Sequence, residues 1–195
     1  METHKITCSF LGHRKIDITK ELVDEVKLFI KELIVYLDVT TFLFGSRSQF
    51  NDLCHSIVTE LKKTYPHVTR VNYTCKSESC FLEKDKEEWD EIYSKFLGDL
   101  RPPYHDEEYE HKTKYTAGKA SYVERNRAMI DDSKYCVFYY DSTYYPMDDE
   151  NAKTIILSTH KKSGTKLAYE YAEKKNKIIF NVKPIRRVLY GKSKN

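Results

Sequence analysis

The chain has 195 residues, 40% of them hydrophobic and 32% charged, which suits one globular domain with a real core and excludes a fibrous or low-complexity protein. Thirty-three basic residues nearly balance thirty acidic ones, leaving a net charge of +3. No whole-molecule field therefore draws the protein to nucleic acid, and the basic run 183–194 (KPIRRVLYGKSK) reads as a solvated tail.

The start METHKITCSF lacks the basic-then-apolar pattern of a secretion signal, and no stretch reaches the apolar length of a membrane span. Five cysteines, an odd number at irregular spacings, read as reduced thiols. Cys8 and Cys136 lie in apolar runs as small core residues, while Cys75 and Cys80 lack the second pair that a zinc ribbon needs. The expectation is a cytoplasmic protein, made and kept inside a bacterial cell, with no membrane partner and no metal.

Ile6, Cys8 and Phe10 alternate with polar residues and predict a strand over 5–11, broken by Gly12-His13-Arg14. A helix follows from Asp17, with Asp17 or Thr19 as its cap and apolar residues from Leu22 to Leu37 at helical spacing. Thr41 to Phe44 is apolar throughout, the pattern of a parallel strand buried on both faces. After Gly45-Ser46-Arg47-Ser48 a second helix runs from about Phe50 to Lys63, then a third strand from His67 to Tyr73. Residues 83–98 predict an amphipathic helix anchored by Trp89, and 99–116 a polar loop or flap that includes an acidic cluster, Glu107, Glu108 and Glu110. A helix from Ala117 to Asp131 leads into the most apolar strand, Tyr135 to Tyr140. Residues 142–162 read as a second insertion, with a short strand at Thr154 to Leu157. Ser163-Gly164-Thr165 opens the last helix, and Ile178 to Val182 is the last strand. This alternation predicts an α/β fold of one domain over 1–195: a Rossmann-like three-layer sandwich, its mostly parallel central sheet covered by helices on both faces.

Ligands of such sheets bind beyond the carboxyl ends of the strands. Three polar turns fall there: Gly12-His13-Arg14, Gly45-Ser46-Arg47-Ser48 and Ser163-Gly164-Thr165. In the third, unpaired backbone N–H groups at a helix start attract an anion, Gly164 lets a phosphate approach, and two hydroxyls can donate to it. An ordinary helix cap explains the same residues. Arg14 and Arg47 carry the planar fork that clamps a phosphate or carboxylate, unless each is simply paired with an acidic neighbour. His13 can bond a ribose or a base, Asn126 can reach the crevice from its helix, and Asp141 can accept from a ribose hydroxyl or serve as a turn residue. Among the sixteen tyrosines, Tyr104, Tyr109, Tyr115 and Tyr122 lie in or near the flap, where one can stack on a ligand. The chain contains no Walker A sequence, no G-x-G-x-x-G, no H-E-x-x-H and no G-x-S-x-G.

In their order, CSFLGHRK, FLFGSRSQFNDLCHSIVTELKKTYP, YVERNRAMIDDSKYCVFYYD and SGTKLAYEYAEKKNKIIFNV resemble the SLOG superfamily of Smf/DprA and Lonely Guy proteins, nearest its YpsA-like branch. The resemblance spans Lys5 to Val182 with two interruptions. It implies a pocket for a nucleotide or nucleotide-derived ligand, lined by Gly12, Arg14, Gly45, Ser46, Arg47, Asn126, Ser163, Gly164 and Thr165. It also implies a homo-oligomer, and either a sensor or carrier of such a ligand or an enzyme cleaving nucleotide N-glycosidic bonds. The Lonely Guy enzymes carry P-G-G-x-G-T-x-x-E with a catalytic Glu; here the segment is KKSGTKLAYE, Ala168 stands at that position and Glu170 lies further on. The second turn also departs: Asn51 or Asp52 stands where related proteins have an Asp. The leading expectation is a binding module needing no cofactor, with phosphate at Ser163–Thr165 and Arg14 or Arg47, and Asn126 and Asp141 at the sugar. A nucleotide hydrolase, drawing on Asp52, Asp141 or Glu170, and an interaction module with a vestigial pocket are the alternatives.

Overall fold

A computed structural model of the protein describes residues 5–45, 48–75, 106–111, 119–144 and 162–183. The elements are β1 (Thr7–Gly12), α1 (Lys20–Tyr36), β2 (Thr41–Phe44), α2 (Gln49–Lys62), β3 (Thr69–Thr74), β4 (Glu107–Glu110), α3 (Lys119–Asp131), β5 (Tyr135–Tyr139), α4 (Gly164–Lys174) and β6 (Ile178–Asn181). Six strands form one sheet in the order β4-β3-β2-β1-β5-β6, and every neighbouring pair is parallel.

Local chemistry sets the elements. Thr19 caps α1 by accepting from the Leu22 N–H at 3.2 Å, and Leu22, Val23, Val26, Ile30, Leu33 and Ile34 turn one stripe inward. Past its last turn Asp38 takes φ 52°, and past α4 Asn176 takes φ 53°. Asp and Asn tolerate the left-handed region better than most residues and so can stop a helix there. All four residues of β2 are buried, as a central parallel strand requires, and the Phe10 ring stacks on Phe42 and Phe44 at 5.6 and 5.4 Å.

Successive strand residues face opposite sides of the sheet. Cys8, Phe10, Phe42 and Phe44 pack with α1 and α2 on one side. Leu11, Cys136 and Phe138 pack with Ile130 of α3 and with Ala168 and Ala172 of α4 on the other, where Met129 also covers Leu43, Val71 and Tyr73. The result is the α/β/α sandwich expected from the alternation of elements. Cys8, Cys54, Cys75 and Cys136 are buried.

One expectation is overturned. Residues 107–110 are not part of a loop: they form edge strand β4, in parallel register with β3 (Val71 opposite Glu107, Tyr73 opposite Tyr109). EEYE has no apolar run to announce a strand, but charge suits an edge, where it blocks pairing with a further chain. The register is fixed by the preceding residue. The Asp106 carboxylate accepts from the Arg70 backbone N–H at 2.8 Å and from its guanidinium at 3.2 and 3.1 Å, and Lys62 Nζ lies 2.8 Å away. Arg70 is itself buried and donates to the Thr59 hydroxyl at 2.8 Å. The expected helix at 83–98 with Trp89, the rest of the flap with Tyr104 and Tyr115, the strand at 154–157, Cys80 and the basic tail beyond Lys183 lie outside the described residues.

Candidate functional site

The chain runs outward from β1 through β2 and β3 to β4, then returns to the other side of β1 for β5 and β6. The switch point is therefore between β1 and β5, where Gly12 sits opposite Tyr139. In open parallel sheets the connections leaving the carboxyl ends of such strands diverge, and the crevice between them is where ligands are held.

Two helix N-termini converge on the loop that follows β1. From one face, the Gln49 N–H at the start of α2 donates to the Arg14 carbonyl at 3.0 Å, and the Gln49 side-chain oxygen accepts from the Ile16 N–H at 2.8 Å. The Asn51 amide donates to the Phe10 carbonyl at 3.1 Å. From the other face, the Thr165 hydroxyl in the first turn of α4 donates to the Gly12 carbonyl at 2.9 Å. Ser48 and Ser163 are the respective caps, accepting from Asn51 N–H and Lys166 N–H, each at 3.1 Å. The positive ends of both helix dipoles thus face the Gly12–Arg14 loop. Thr165, read in the sequence as a donor to a phosphate, spends its hydroxyl proton on the Gly12 carbonyl, while Ser163 accepts from the Lys166 N–H and keeps its own O–H as a donor. What the α4 start offers is the end of its helix dipole and clear space, since a Cβ at Gly164 would meet no atom of the described residues within 4 Å.

His13 and Asp141 also come together. His13 is 1% exposed, and its Nε2 accepts from the Asp141 N–H at 2.8 Å. The neutral ring therefore carries its proton on Nδ1, a buried atom with no hydrogen-bond partner among the described residues. Burial lowers the His13 pKa to about 4, against a smaller opposing pull from Asp141. The Tyr144 ring stacks on the imidazole at 3.8 Å. The Asp141 carboxylate is held well below the ordinary carboxylate range by Lys183, which bridges to it, and by the Thr143 N–H and hydroxyl at 2.8 and 2.6 Å. Its turn role is plain, and a ribose hydroxyl would have to compete with these partners. Asn181 supports it from β6: its side chain accepts from Tyr140 N–H at 3.0 Å and donates to Tyr140 C=O at 2.9 Å, extending the sheet by one residue.

A buried neutral histidine favours the folded state only while it stays neutral. The unfolded chain protonates near pH 6.5, the folded site near 4, so stability is full above 6.5 and falls as pH drops toward 4. Urea melts across that window are expected to show a loss of about 2 kcal/mol that His13→Gln, which keeps an acceptor but cannot titrate, removes.

The other predicted residues part company. Gly12 and Gly45 serve packing: a Cβ on Gly12 would lie 2.5 Å from the Phe50 Cβ of α2, and one on Gly45 would collide with the Tyr73 carbonyl oxygen. Arg14 is exposed beside the crevice. Asn126 lies in α3, and its amide oxygen accepts from its neighbour Arg125 at 3.2 Å. Ser46 and Arg47 lie outside the described residues. Sequence reasoning missed Gln49, Asn181, Lys183 and Tyr144, because each acts on a residue brought near only by the sheet.

Among the described residues no three His, Cys, Asp or Glu side chains are grouped to hold a metal ion, and no helix is long and apolar enough to cross a membrane. Fold and site together define an α/β protein with a switch-point crevice flanked by two helix N-termini. No protein-family model matches the chain, and no curated protein matches it significantly.

Proposed function

We propose that the protein binds a nucleotide or nucleotide-derived, phosphate-bearing small molecule in the β1–β5 crevice, as a sensor, carrier or sequestering protein. The observation that carries this reading is the convergence of the α2 and α4 N-termini on the Gly12–Arg14 loop. The positive ends of the two helix dipoles favour an anion, Arg14 adds a full positive charge at the rim, and the buried Nδ1–H of His13 supplies a neutral donor for a ligand oxygen or ring nitrogen. The resemblance to SLOG proteins points the same way. Binding is favoured over glycoside hydrolysis because Ala168, at the place of the Lonely Guy Glu, is packed in the core, and two of the three candidate carboxylates are engaged, Glu170 by Lys162 at 2.7 Å and Asp141 by Lys183.

The test is mass spectrometry of small molecules released from purified, denatured protein, followed by thermal-shift titration with the compound found, or with a nucleotide panel if none is found. Gly164→Glu is the decisive variant, because the new Cβ meets no atom of the described residues while the charge repels an anion; a thermal melt of the unliganded variant checks that it folds. It is expected to weaken binding at least 100-fold and Arg14→Ala about tenfold, in line with one lost charge-assisted hydrogen bond. No released compound together with no shift from any nucleotide would overturn the proposal.

A further inference from the structure

A second concavity, of about 300 Å³, lies on the α3 side of the sheet, toward the amino ends of the strands and away from the crevice. Its floor is apolar: Leu43 of β2 and Val71 of β3 sit side by side in register. One wall is aromatic, with the Tyr73 and Tyr109 rings 4.8 Å apart and Tyr109 48% exposed. Asp132, just past α3, closes another side and accepts from the Tyr73 hydroxyl at 2.7 Å.

The mouth is unusual. Lys5 precedes β1 and Glu107 begins β4, with β2 and β3 between them, yet their charged groups are 3.6 Å apart. Three strand spacings are about 14 Å, so the Lys5 side chain extends along the sheet toward β4. Both groups stay about half exposed, and such an ion pair contributes little to folding. Around the rim one positive group faces two carboxylates, Glu107 and Asp132, beside the half-exposed Tyr109 ring, whose face attracts cations.

We propose that this cavity binds a small organic cation, an ammonium or amidinium carried on a flat apolar body, and that the Lys5 ammonium is the tethered group such a ligand displaces from Glu107. The ligand's charge meets Glu107 and Asp132, while its body takes the place of the Lys5 chain and stacks on Tyr109. The volume lies at the lower end for small-molecule sites, which limits the body to about one ring. This site is independent of the crevice and of its proposed nucleotide.

Benzamidine is the probe, benzoate the opposite-charge control and benzyl alcohol the neutral one, each titrated into the full chain and followed by amide chemical shifts. Benzamidine is expected to move the amides of Val71, Tyr73 and Tyr109 with a Kd on the order of 1 mM or below, and the two controls to move them far less. Lys5→Met removes the competing cation and is expected to tighten binding three- to tenfold. Glu107→Gln and Asp132→Asn are each expected to weaken it about tenfold; thermal melts of the unliganded variants confirm that they fold. The proposal is overturned if benzamidine at 10-fold that concentration moves none of these amides, if benzoate or benzyl alcohol moves them as strongly, or if Lys5→Met weakens the binding.

Discussion

Asp106→Ala is expected to lower folding stability by about 3 kcal/mol, because it leaves the buried Arg70 guanidinium without its counter-charge. The side chain of Arg70 is 10% exposed and that of Asp106 25%, so the pair sits at the lower end of the range for breaking a buried ion pair. Arg70 keeps its bond to Thr59 and Lys62 its bond to the Val68 carbonyl at 2.7 Å, but β4 loses the anchor that starts its pairing. An Arg70→Met/Asp106→Leu double variant is expected to recover most of the loss, since the charge cost disappears with the charges. Guanidinium melts give the stabilities, and amide exchange at Asp106 and His111, which bond to the Arg70 and Thr74 carbonyls, reports on β4 itself. The pH dependence follows. Burial alone would raise the Asp106 carboxyl, but hydrogen bonds from Arg70 and Lys62 outweigh it and hold it well below the usual carboxylate range. A depressed acid stabilises the fold above its unfolded pKa of about 4, and that contribution is lost as pH falls below 4. The variant should therefore be less stable than the wild type at pH 7 and close to it in strong acid.

This edge of the sheet also shows where sequence stops being legible. The stripe of α1 and the apolar run of β2 were readable because each element's own residues record how it is buried. β4 was not, because its strand state comes from β3 and from the Arg70–Asp106 contact, thirty-six positions apart in the chain. The site divides the same way. Polar turns at strand ends could be found by pattern: those at Gly12 and Ser163 meet at the switch point, and Ser48, which ends the second turn, caps α2, whose Gln49 bonds to Arg14. Which atoms remain available to a ligand could not be found that way. The Thr165 hydroxyl, the Asp141 carboxylate and the Asn51 amide are engaged by partners that only the folded sheet supplies.

The glycines make that difference measurable. Gly45→Ala is expected to cost about 3 kcal/mol or more, at the upper end for overpacking. Its Cβ would strike the Tyr73 carbonyl oxygen and press on Met129 Sδ at 3.0 Å. A backbone oxygen in a central parallel pair cannot rotate away, so relief requires separating β2 from β3 where Phe44 opposes Asn72. Gly12→Ala meets the Phe50 Cβ and ring instead, and α2 can shift slightly on its first turn; a loss of about 2 kcal/mol is expected. Gly164→Ala meets nothing and, lying in the first turn of α4, is expected to be neutral or slightly stabilising. Urea denaturation of the three alanine variants should rank them 45, 12, 164 from most to least damaging. A reversed order, with position 164 the costliest in the absence of any ligand, would mean that the α4 start is closed by the fold itself and not open to an anion. Equal tolerance at 45 and 164 would mean that the second turn, like the third, has room for a ligand against its backbone.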